Sequence, residues 1–531
     1  MPGLPKIERG QGIGAGLLNA VQDALLTRVT GGRGVNVKRT GNQIVIEKAR
    51  ERIIPTRNFS IIVSGGQSST WDGNDGSTAS VFRMNKSGVV WDWDAGAFAH
   101  NRVNNGRVYA FAITSGRNNT WEGAGGTYAN VWRLDPDDGS VLWSWDGVSV
   151  TNMIIGPSGE VYCSGVRNNT WEGNDGSYAT LWRLDPADGS VLWDWDGALS
   201  RGFVVDDSGN VYVGGGRSST WEGAGGKNAN AFRLNASDGT VTWSWDTGSS
   251  AGAGSTIMHV DSAGKVFVRS DWRNTDWEDT DASAANMFRL DPSNGDVLWD
   301  WDSGWDTTGF TDFYLDGADR LYLSGQRNSS WEGNDGSNAD LWRLDPSDGS
   351  VLWDWDSGDT SSTARLTMAS SADILIAAIP ANAVWEGNDG STSNTFRINV
   401  DTGVVVWDWY TGASGGTSYF VGGALVTSTT RNNTWEGNDG SYATVWRLNV
   451  SDGTALWDWD GNTGVRATPM LLQTEDDISS GLFTSAGTKN NAWEGNDGND
   501  SDIWWHSKES GVVLWDRKMN DDALTLILNE L

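Results

Sequence analysis

The sequence predicts an all-β fold built from repeats, and two observations support this prediction. Each repeat contains two tryptophans at a fixed separation. The second lies 22 residues after the first, or 20 residues after it in the first repeat. The steps between first tryptophans are 50 to 58 residues, and a period near fifty is typical of propellers and solenoids. The first tryptophan, followed by Glu or Asp and small turn-forming residues, occurs nine times: Trp71, Trp121, Trp171, Trp221, Trp277, Trp331, Trp385, Trp435 and Trp493.

Each repeat contains four short strand signals. In the third and fourth copies, Thr180–Asp185 and Ser190–Asp196 flank the turn Asp-Pro-Ala-Asp-Gly. Arg201–Val205 and Asn210–Gly214 then flank Asp-Asp-Ser-Gly. Four strands in about fifty residues are typical of one propeller blade. The sequence therefore predicts a β-propeller of about nine four-stranded blades over residues 55–531.

The turn and the last strand of each repeat carry specific expectations. Gly189 is expected to take a positive φ, as glycine does in such turns. Trp193 and Trp195 are two residues apart and share one strand face, whereas Leu192 and Asp194 share the other. We expect the two indoles to form a wedge between neighbouring blades.

The two ends of the repeat region indicate how a ring could close. The first copy begins with a strand signal, Ser60–Gly65, and the last ends with the segment 523–528, ALTLIL. If the terminal segment adds a strand to the first blade, the ring has no open edge. The alternative is a short helix packed underneath the ring.

Residues 1–54 are interpreted as a separate docking arm. Residues 34–48 alternate in polarity around Thr40-Gly41-Asn42 and predict a hairpin. A lone hairpin is barely stable in water, so the arm is expected to dock on a larger body; the alternative is a partly ordered tail. A helix is predicted before the hairpin, since apolar residues fall at helical spacing at Leu17, Leu18, Val21, Leu25 and Val29.

Charge is divided unevenly along the chain. Residues 1–52 contain nine Lys/Arg and four acidic residues, a net charge of +5, which leaves −36 for the remainder of a chain whose total is −31. An acidic body argues against nucleic-acid binding through a basic face. We interpret the acidity as favouring solubility, or adaptation to a salty medium, over a specific cationic ligand.

Several functional classes lack their sequence signals. The single cysteine, Cys163, excludes an internal disulfide or a cysteine-based zinc cluster, and the three histidines share no close spacing. No apolar run is long enough to span a bilayer, and no signal peptide is recognisable. No catalytic motif of the serine-hydrolase, zinc-protease or phosphate-binding type is present. We predict no enzyme activity, no catalytic residue, no bound metal and no cofactor.

The N-terminal segment carries a resemblance. PKIERGQGIGAGLLNAVQDAL and GGRGVNVKRTGNQIVIEK resemble short N-terminal segments of bacteriophage and prophage virion proteins, of the tail or fibre type. The resemblance implies a virion location, with docking on other virion proteins through residues 1–52. It also implies a displayed distal domain for host attachment, without membrane insertion, in a possible homo-oligomer. The missing export signal agrees with release by lysis.

The repeats carry a second resemblance. LDPADGSVLWDWD resembles the outer hairpin of pyrroloquinoline-quinone-type and related tryptophan-docking propellers. This resemblance implies the fold. Quinoprotein dehydrogenases usually carry further cofactor ligands and often a vicinal cysteine pair, so a quinoprotein-like enzyme is the third hypothesis, after a virion protein and an extracellular carbohydrate-binding propeller.

A tryptophan, an acidic residue and an arginine recur together in the repeats, and three hypotheses compete for them. In the first, the arginine stacks on the loop tryptophan and pairs with the glutamate, which stabilises blade packing. In the second, the set binds a sugar of the host surface, with avidity from repetition. In the third, Glu172, Asn174 and Asp175 bind Ca²⁺, although the spacing differs from an EF-hand. The candidate residues are Trp121, Glu122, Arg133, Trp171, Glu172, Arg183, Trp331, Glu332, Arg343, Trp435, Glu436 and Arg447.

Copy nine departs from this set. Trp505 stands where the other copies have arginine, so Glu494 is expected to be more exposed than Glu172.

Overall fold

A computed structural model describes the protein over residues 35–40 and 43–48 and over most of 61–517. The longer gaps in that range are 70–75, 113–117, 249–255, 305–309, 359–364, 462–469, 473–480, 494–500 and 508–512. Within these bounds every helix or strand assigned is a β-strand, so the all-β prediction is confirmed. The predicted hairpin forms from β1 (Val35–Thr40) and β2 (Gln43–Lys48). The helix predicted over 17–29 lies outside the described residues.

The other strands form nine antiparallel sheets, which we number as blades 1 to 9 in chain order. The first has three strands and each of the others has four, hydrogen-bonded in sequence order. The strands of blades 1 to 4 are β3 (Ile61–Ser68), β4 (Ala79–Asn85), β5 (Gly88–Trp93), β6 (Ala99–Asn104), β7 (Arg107–Ala112), β8 (Val131–Leu134), β9 (Val141–Trp145), β10 (Val150–Ile155), β11 (Val161–Asn168), β12 (Ala179–Leu184), β13 (Val191–Trp195), β14 (Gly202–Val205), β15 (Val211–Ser218), β16 (Ala229–Leu234) and β17 (Val241–Trp245).

The strands of blades 5 to 9 are β18 (Thr256–Val260), β19 (Val266–Asn274), β20 (Ala285–Leu290), β21 (Val297–Trp301), β22 (Phe310–Leu315), β23 (Leu321–Asn328), β24 (Ala339–Leu344), β25 (Val351–Trp355), β26 (Arg365–Ala369), β27 (Ile374–Asn382), β28 (Ser393–Asn399), β29 (Val405–Trp409), β30 (Thr417–Val421), β31 (Ala424–Asn432), β32 (Ala443–Leu448), β33 (Ala455–Trp459), β34 (Met470–Leu472), β35 (Gly481–Asn490), β36 (Ser501–Ser507) and β37 (Val513–Arg517).

Each blade runs from an inner first strand to an outer last strand. The first strands of neighbouring blades contact one another, as β10 does with β6 and β14. The last strand exposes the second of its residues to solvent: Leu192 on β13 is 48% exposed. This meander, repeated with its inner strands side by side, is a β-propeller architecture, and that prediction is confirmed.

The strands match their predicted positions. β12 and β13 begin and end within one residue of the predicted Thr180–Asp185 and Ser190–Asp196, and β14 ends at Val205 as expected. β15 continues to Ser218, beyond the predicted end at Gly214, because a register shift between these two residues inserts a bulge before pairing resumes at Ala229.

Aromatic side chains fill the space between blades. Trp182 of blade 3 lies edge-to-face between Trp145 of the preceding blade and Trp171 of its own loop, at ring-centroid distances of 5.5 and 6.2 Å. All three indoles are at most 4% exposed. Aromatic pairs of this geometry stabilise a core beyond the area they bury. The predicted wedge of Trp193 and Trp195 is confirmed by their contacts with blade 4. Trp195 lies edge-to-face on Phe232 at 5.0 Å, and Trp193 donates a hydrogen bond to the carbonyl oxygen of Ala236.

The closed nine-bladed ring stays a prediction, since the segment 523–528 that is expected to latch it lies outside the described residues. No helix long and apolar enough to cross a membrane occurs in the part of the chain that the structure describes.

Candidate functional site

The arginine of the repeated set works together with the second tryptophan of the repeat. Arg183 on β12 lies opposite Trp193 on β13. Arg183 Nη1 donates a hydrogen bond to the carbonyl oxygen of Ala236, and Trp193 Nε1 donates to the same oxygen at 2.9 Å. Ala236 belongs to the outer turn of blade 4, so this fork of two donors fastens blade 3 to the blade that follows it.

The same fork joins seven successive pairs of blades. In each, an arginine and a tryptophan donate to one backbone carbonyl of the following blade's outer turn. The seven acceptors are Pro136, Pro186, Ala236, Pro292, Pro346, Val400 and Val450.

The glycine of the outer turn is required at this contact. Gly189 has the predicted positive φ, at 77°. A Cβ atom there would lie 2.6 Å from Cε3 of Trp143, closer than a side-chain carbon can approach. Both the backbone conformation and the docked indole therefore favour glycine.

The glutamate of the set forms a second link, to the preceding blade. The Glu172 N–H donates to the carbonyl oxygen of Asp146 at 2.8 Å, and the Asp146 N–H donates to Glu172 Oε2 at 3.0 Å. Trp145 Nε1 donates to the Glu172 carbonyl at 3.1 Å. Three hydrogen bonds thus clasp the loop of blade 3 to the end of blade 2, and the buried ring of Trp171 packs beneath them.

The expectation that Arg183 stacks on Trp171 and pairs with Glu172 is wrong. No ion pair joins the two charged residues, both of which are described. Glu172 bonds to the preceding blade and Arg183 to the following one, because they lie at the two different interfaces of blade 3. The guanidinium lies instead over the ring of Tyr162, 5.9 Å from its centroid.

The other candidate residues follow the same arrangement. The Oε2 atoms of Glu122, Glu332 and Glu436 accept from backbone N–H groups of the preceding blade, at 3.1 to 3.2 Å. Arg133 and Arg343 dock on the following blade, and Arg447 lies opposite Trp457. The tryptophans are only 3–7% exposed: Trp121, Trp171, Trp331 and Trp435. A pyranose needs an open aromatic face, so these indoles offer no surface on which it could stack.

The structure does not test the expectation for copy nine. Trp505, in the position of the arginine, is buried at 1% exposure. Glu494 lies outside the described residues.

The structure also shows an ion pair within the blade that the sequence analysis missed. Arg167 Nε and Nη2 donate to the two carboxylate oxygens of Asp196, both at 2.5 Å. Such bidentate pairs are the stronger class of charge-assisted hydrogen bond. Among the described residues, equivalent pairs join residues 29 apart in four other blades: Arg217 with Asp246, Arg273 with Asp302, Arg327 with Asp356, and Arg431 with Asp460.

A signal for this pair is present in the sequence. In copy seven the position of the arginine holds Ala381 and that of the aspartate holds Tyr410, so both partners are absent together. Glu436 still clasps the backbone of Tyr410, because that link uses main-chain atoms. Comparing the copies for paired losses would have indicated the arginine and aspartate as partners.

The clefts between blades are acidic. Asp194 on β13 is half-buried, and burial, followed by the nearby charges of Asp175, Glu222 and Asp196, raises its pKa to about 6. A cavity of about 320 Å³ between blades 5 and 6 is lined by Ser283, Ala284, Asp300, Asp302, Ser330 and Glu332.

A larger cavity of about 420 Å³ lies between blades 7 and 8. Its lining includes Trp409, Trp435, Glu436 and Ala455. Ala455 stands where the other eight copies have valine. In blade 6 the equivalent Val351 comes within 3.7 Å of a Cβ atom built on the loop glycine Gly333, so the smaller alanine accounts for part of the space.

The loop residues considered for Ca²⁺ bond within their own loop. Asn174 Oδ1 accepts from the Gly176 N–H at 2.6 Å, and Asp175 Oδ1 accepts from the Ser177 N–H at 2.9 Å. The bonds from Ser177 hold the pKa of Asp175 below its usual value. Across the described ranges, no group of three or more His, Cys, Asp or Glu side chains is arranged to hold a metal ion.

Comparison with known proteins gives similarity at the level of fold. No protein-family model matches the chain, and no curated protein does either. Among solved structures, the chain is similar to BamB from Moraxella catarrhalis, with 15% identity over 73% of this chain and 93% of that one and a TM-score of 0.39. It is also similar to Saccharomyces cerevisiae Sqt1, with 10% identity over 73% and 92% and a TM-score of 0.36. The WD40 propeller domain of Doa1 aligns with 9% identity over 65% and 94%, with a TM-score of 0.29.

Proposed function

We propose that the chain is a non-enzymatic structural protein of a bacteriophage virion, of the tail or fibre type. In this proposal residues 1–54 dock on other virion proteins, and the propeller is displayed outward for attachment to the host. The observation that carries it is the arm, whose sequence resembles virion anchoring segments and whose charge of +5 is opposite to the −36 of the body. Opposite charges favour different neighbours for the two parts.

A structural role also agrees with how the repeated polar residues are used. Glutamates, arginines and indole N–H groups form the links between blades described above, and the same links recur from blade to blade. Catalysis needs a distinct constellation of groups, which repetition of this kind does not supply. The acidic body disfavours nucleic acid as a partner.

We further infer that the nine sheets close into one ring, latched by residues 523–528. In support, the described part of blade 1 has three strands where each of the other eight blades has four, so one added strand would complete it. Deletion of residues 523–531 should then lower the melting temperature. An unchanged melting curve would contradict the latch.

The virion proposal is tested in purified particles. Mass spectrometry of particles purified from a lysate should detect the full chain in a fixed ratio to other virion proteins. A chain reduced to residues 55–531 should melt at an unchanged temperature but fail to join the particles. Failure of the shortened chain to fold would show that the arm belongs to the propeller, and absence of the full chain from particles would refute the proposal.

The second candidate is a carbohydrate-binding propeller outside a virion. The observation that favours it is that Tyr178 and Tyr442 are exposed, and that each ring is covered in part by an arginine that pairs with an aspartate. Detection of the chain in particles distinguishes the two candidates.

A further inference from the structure

Three of the loops carry an exposed aromatic ring. Tyr128, Tyr178 and Tyr442 are 44–45% exposed, in contrast to the loop tryptophans seven residues before them. In blades 3 and 8 a guanidinium covers part of the ring: the Cζ atom of Arg167 lies 4.1 Å from the centroid of Tyr178, and that of Arg431 lies 4.0 Å from the centroid of Tyr442. Each of these two tyrosines still has nearly half of its surface exposed.

The covering arginine is held in place. Arg431 donates to both carboxylate oxygens of Asp460 at 2.6 to 2.9 Å, as Arg167 does to Asp196. Both arginines are about one-third exposed, at 32% and 39%. Blades 3 and 8 therefore each hold an exposed aromatic ring, a partly exposed guanidinium and the edge of a carboxylate in one fixed group.

The blade does not need the tyrosine for its own packing. In blades 4 and 6 its position holds Asn228 and Asn338, yet the arginine–aspartate pairs of those blades form with the same geometry. The remaining copies have Thr78, Ala284, Thr392 and Asp500 there. Exposing an aromatic ring loses the free energy that burial would give, so a ring chosen at a position free to vary indicates a contact with another molecule.

We propose that Tyr178 with Arg167 and Asp196, and Tyr442 with Arg431 and Asp460, are two carbohydrate-binding subsites. The apolar face of a sugar ring stacks on the exposed part of the tyrosine ring. Its hydroxyl groups donate to the aspartate oxygens and accept from the guanidinium N–H groups that face solvent. This deepens the proposed role in host attachment, on which it rests, by naming the class of ligand.

The two subsites are chemically equivalent. Residues 167–180 and 431–444 have the same fourteen-residue sequence, RNNTWEGNDGSYAT. Single contacts between a sugar and a surface aromatic are weak, and two subsites in one chain gain avidity for a repeated surface glycan.

Saturation-transfer NMR on the full chain tests the proposal. The probes are the methyl glycosides of glucose, galactose, mannose, N-acetylglucosamine, rhamnose and fucose at millimolar concentration. We expect transfer to at least one of them, and its loss in the double variant Tyr178→Asn/Tyr442→Asn. Asparagine is the residue of blades 4 and 6, so the variant should keep the melting temperature of the parent chain.

Blade 6 supplies a matched gain of function. Asn338→Tyr places a ring beside the existing Arg327–Asp356 pair, and this change in the double variant should restore transfer to the same glycoside. The proposal is overturned if no probe receives saturation transfer from the parent chain. It is also overturned if the double variant shows the same transfer as the parent chain. Either result leaves the particle-association test untouched, so the two proposals fail separately.

Discussion

Arg183 and Trp193 donate to the same carbonyl oxygen, so the effects of their substitutions on the free energy of unfolding should not be additive. Ala236 O accepts two hydrogen bonds, so it keeps a donor when either is removed. Each of Arg183→Ala and Trp193→Phe should then cost about 0.5–1.5 kcal/mol for its hydrogen bond, plus the lost packing area. The double variant leaves the carbonyl without either donor, and such a group adds a penalty of about 1–3 kcal/mol.

A double-mutant cycle measured by urea unfolding gives the coupling between the two side chains. We expect about 1 kcal/mol or more beyond the sum of the single changes, as for residues that share one partner. Arg183→Ala combined with Trp143→Phe is the control, because Trp143 donates to Pro186 in another interface and its effect should add within about 0.5 kcal/mol. Additive effects in the first cycle would refute the shared acceptor.

Three further outcomes follow from the geometry. Trp171→Ala should lower the free energy of unfolding by about 3–5 kcal/mol, as truncation of a buried large aromatic does, and calorimetry would show it; an unchanged melt would mean that the loop is not packed. Ala455→Val should fill part of the cavity between blades 7 and 8 and stabilise by about 0.5–2 kcal/mol in the same assay, whereas a loss would indicate overpacking. The pKa of Asp194 is about 6 in the folded protein, above its unfolded value, so its protonated form stabilises the fold at low pH and this stability is lost as pH rises through 6. The variant Asp194→Asn should therefore melt at a higher temperature than the parent at pH 8. This difference in melting temperature should shrink towards pH 4. An advantage independent of pH would exclude titration of Asp194 as its cause.

Local patterns were readable from the sequence because a propeller repeats them. Strand lengths, the turn with Gly189 and the shared face of Trp193 and Trp195 depend on neighbours within one hairpin, and the structure has them as predicted. The partners of Glu172 and Arg183 depend instead on the packing of whole blades. Arg183 and its acceptor Ala236 are 53 residues apart in the chain. When two residues recur in the same repeat, the sequence does not show which of the two blade interfaces each residue faces. The ion pair of Glu172 with Arg183 was predicted incorrectly for this reason.

Differences between copies are therefore more informative about binding than their shared residues. Positions that nearly every copy retains, such as Glu172 and Arg183, are occupied in fastening one blade to the next. The residue at the position of Tyr178 differs among the copies, and the arginine–aspartate pair beside it still forms. The side chain at this position can therefore change to bind a partner without disturbing that pair. If the role of Tyr178 is to stabilise the fold, Tyr178→Asn should lower the melting temperature. The stacked Arg167 would then lose a contact worth about 0.5–1 kcal/mol at an exposed site. An unchanged melt together with lost glycoside binding would separate the two roles, and Tyr442→Asn in the identical loop of blade 8 should repeat the result.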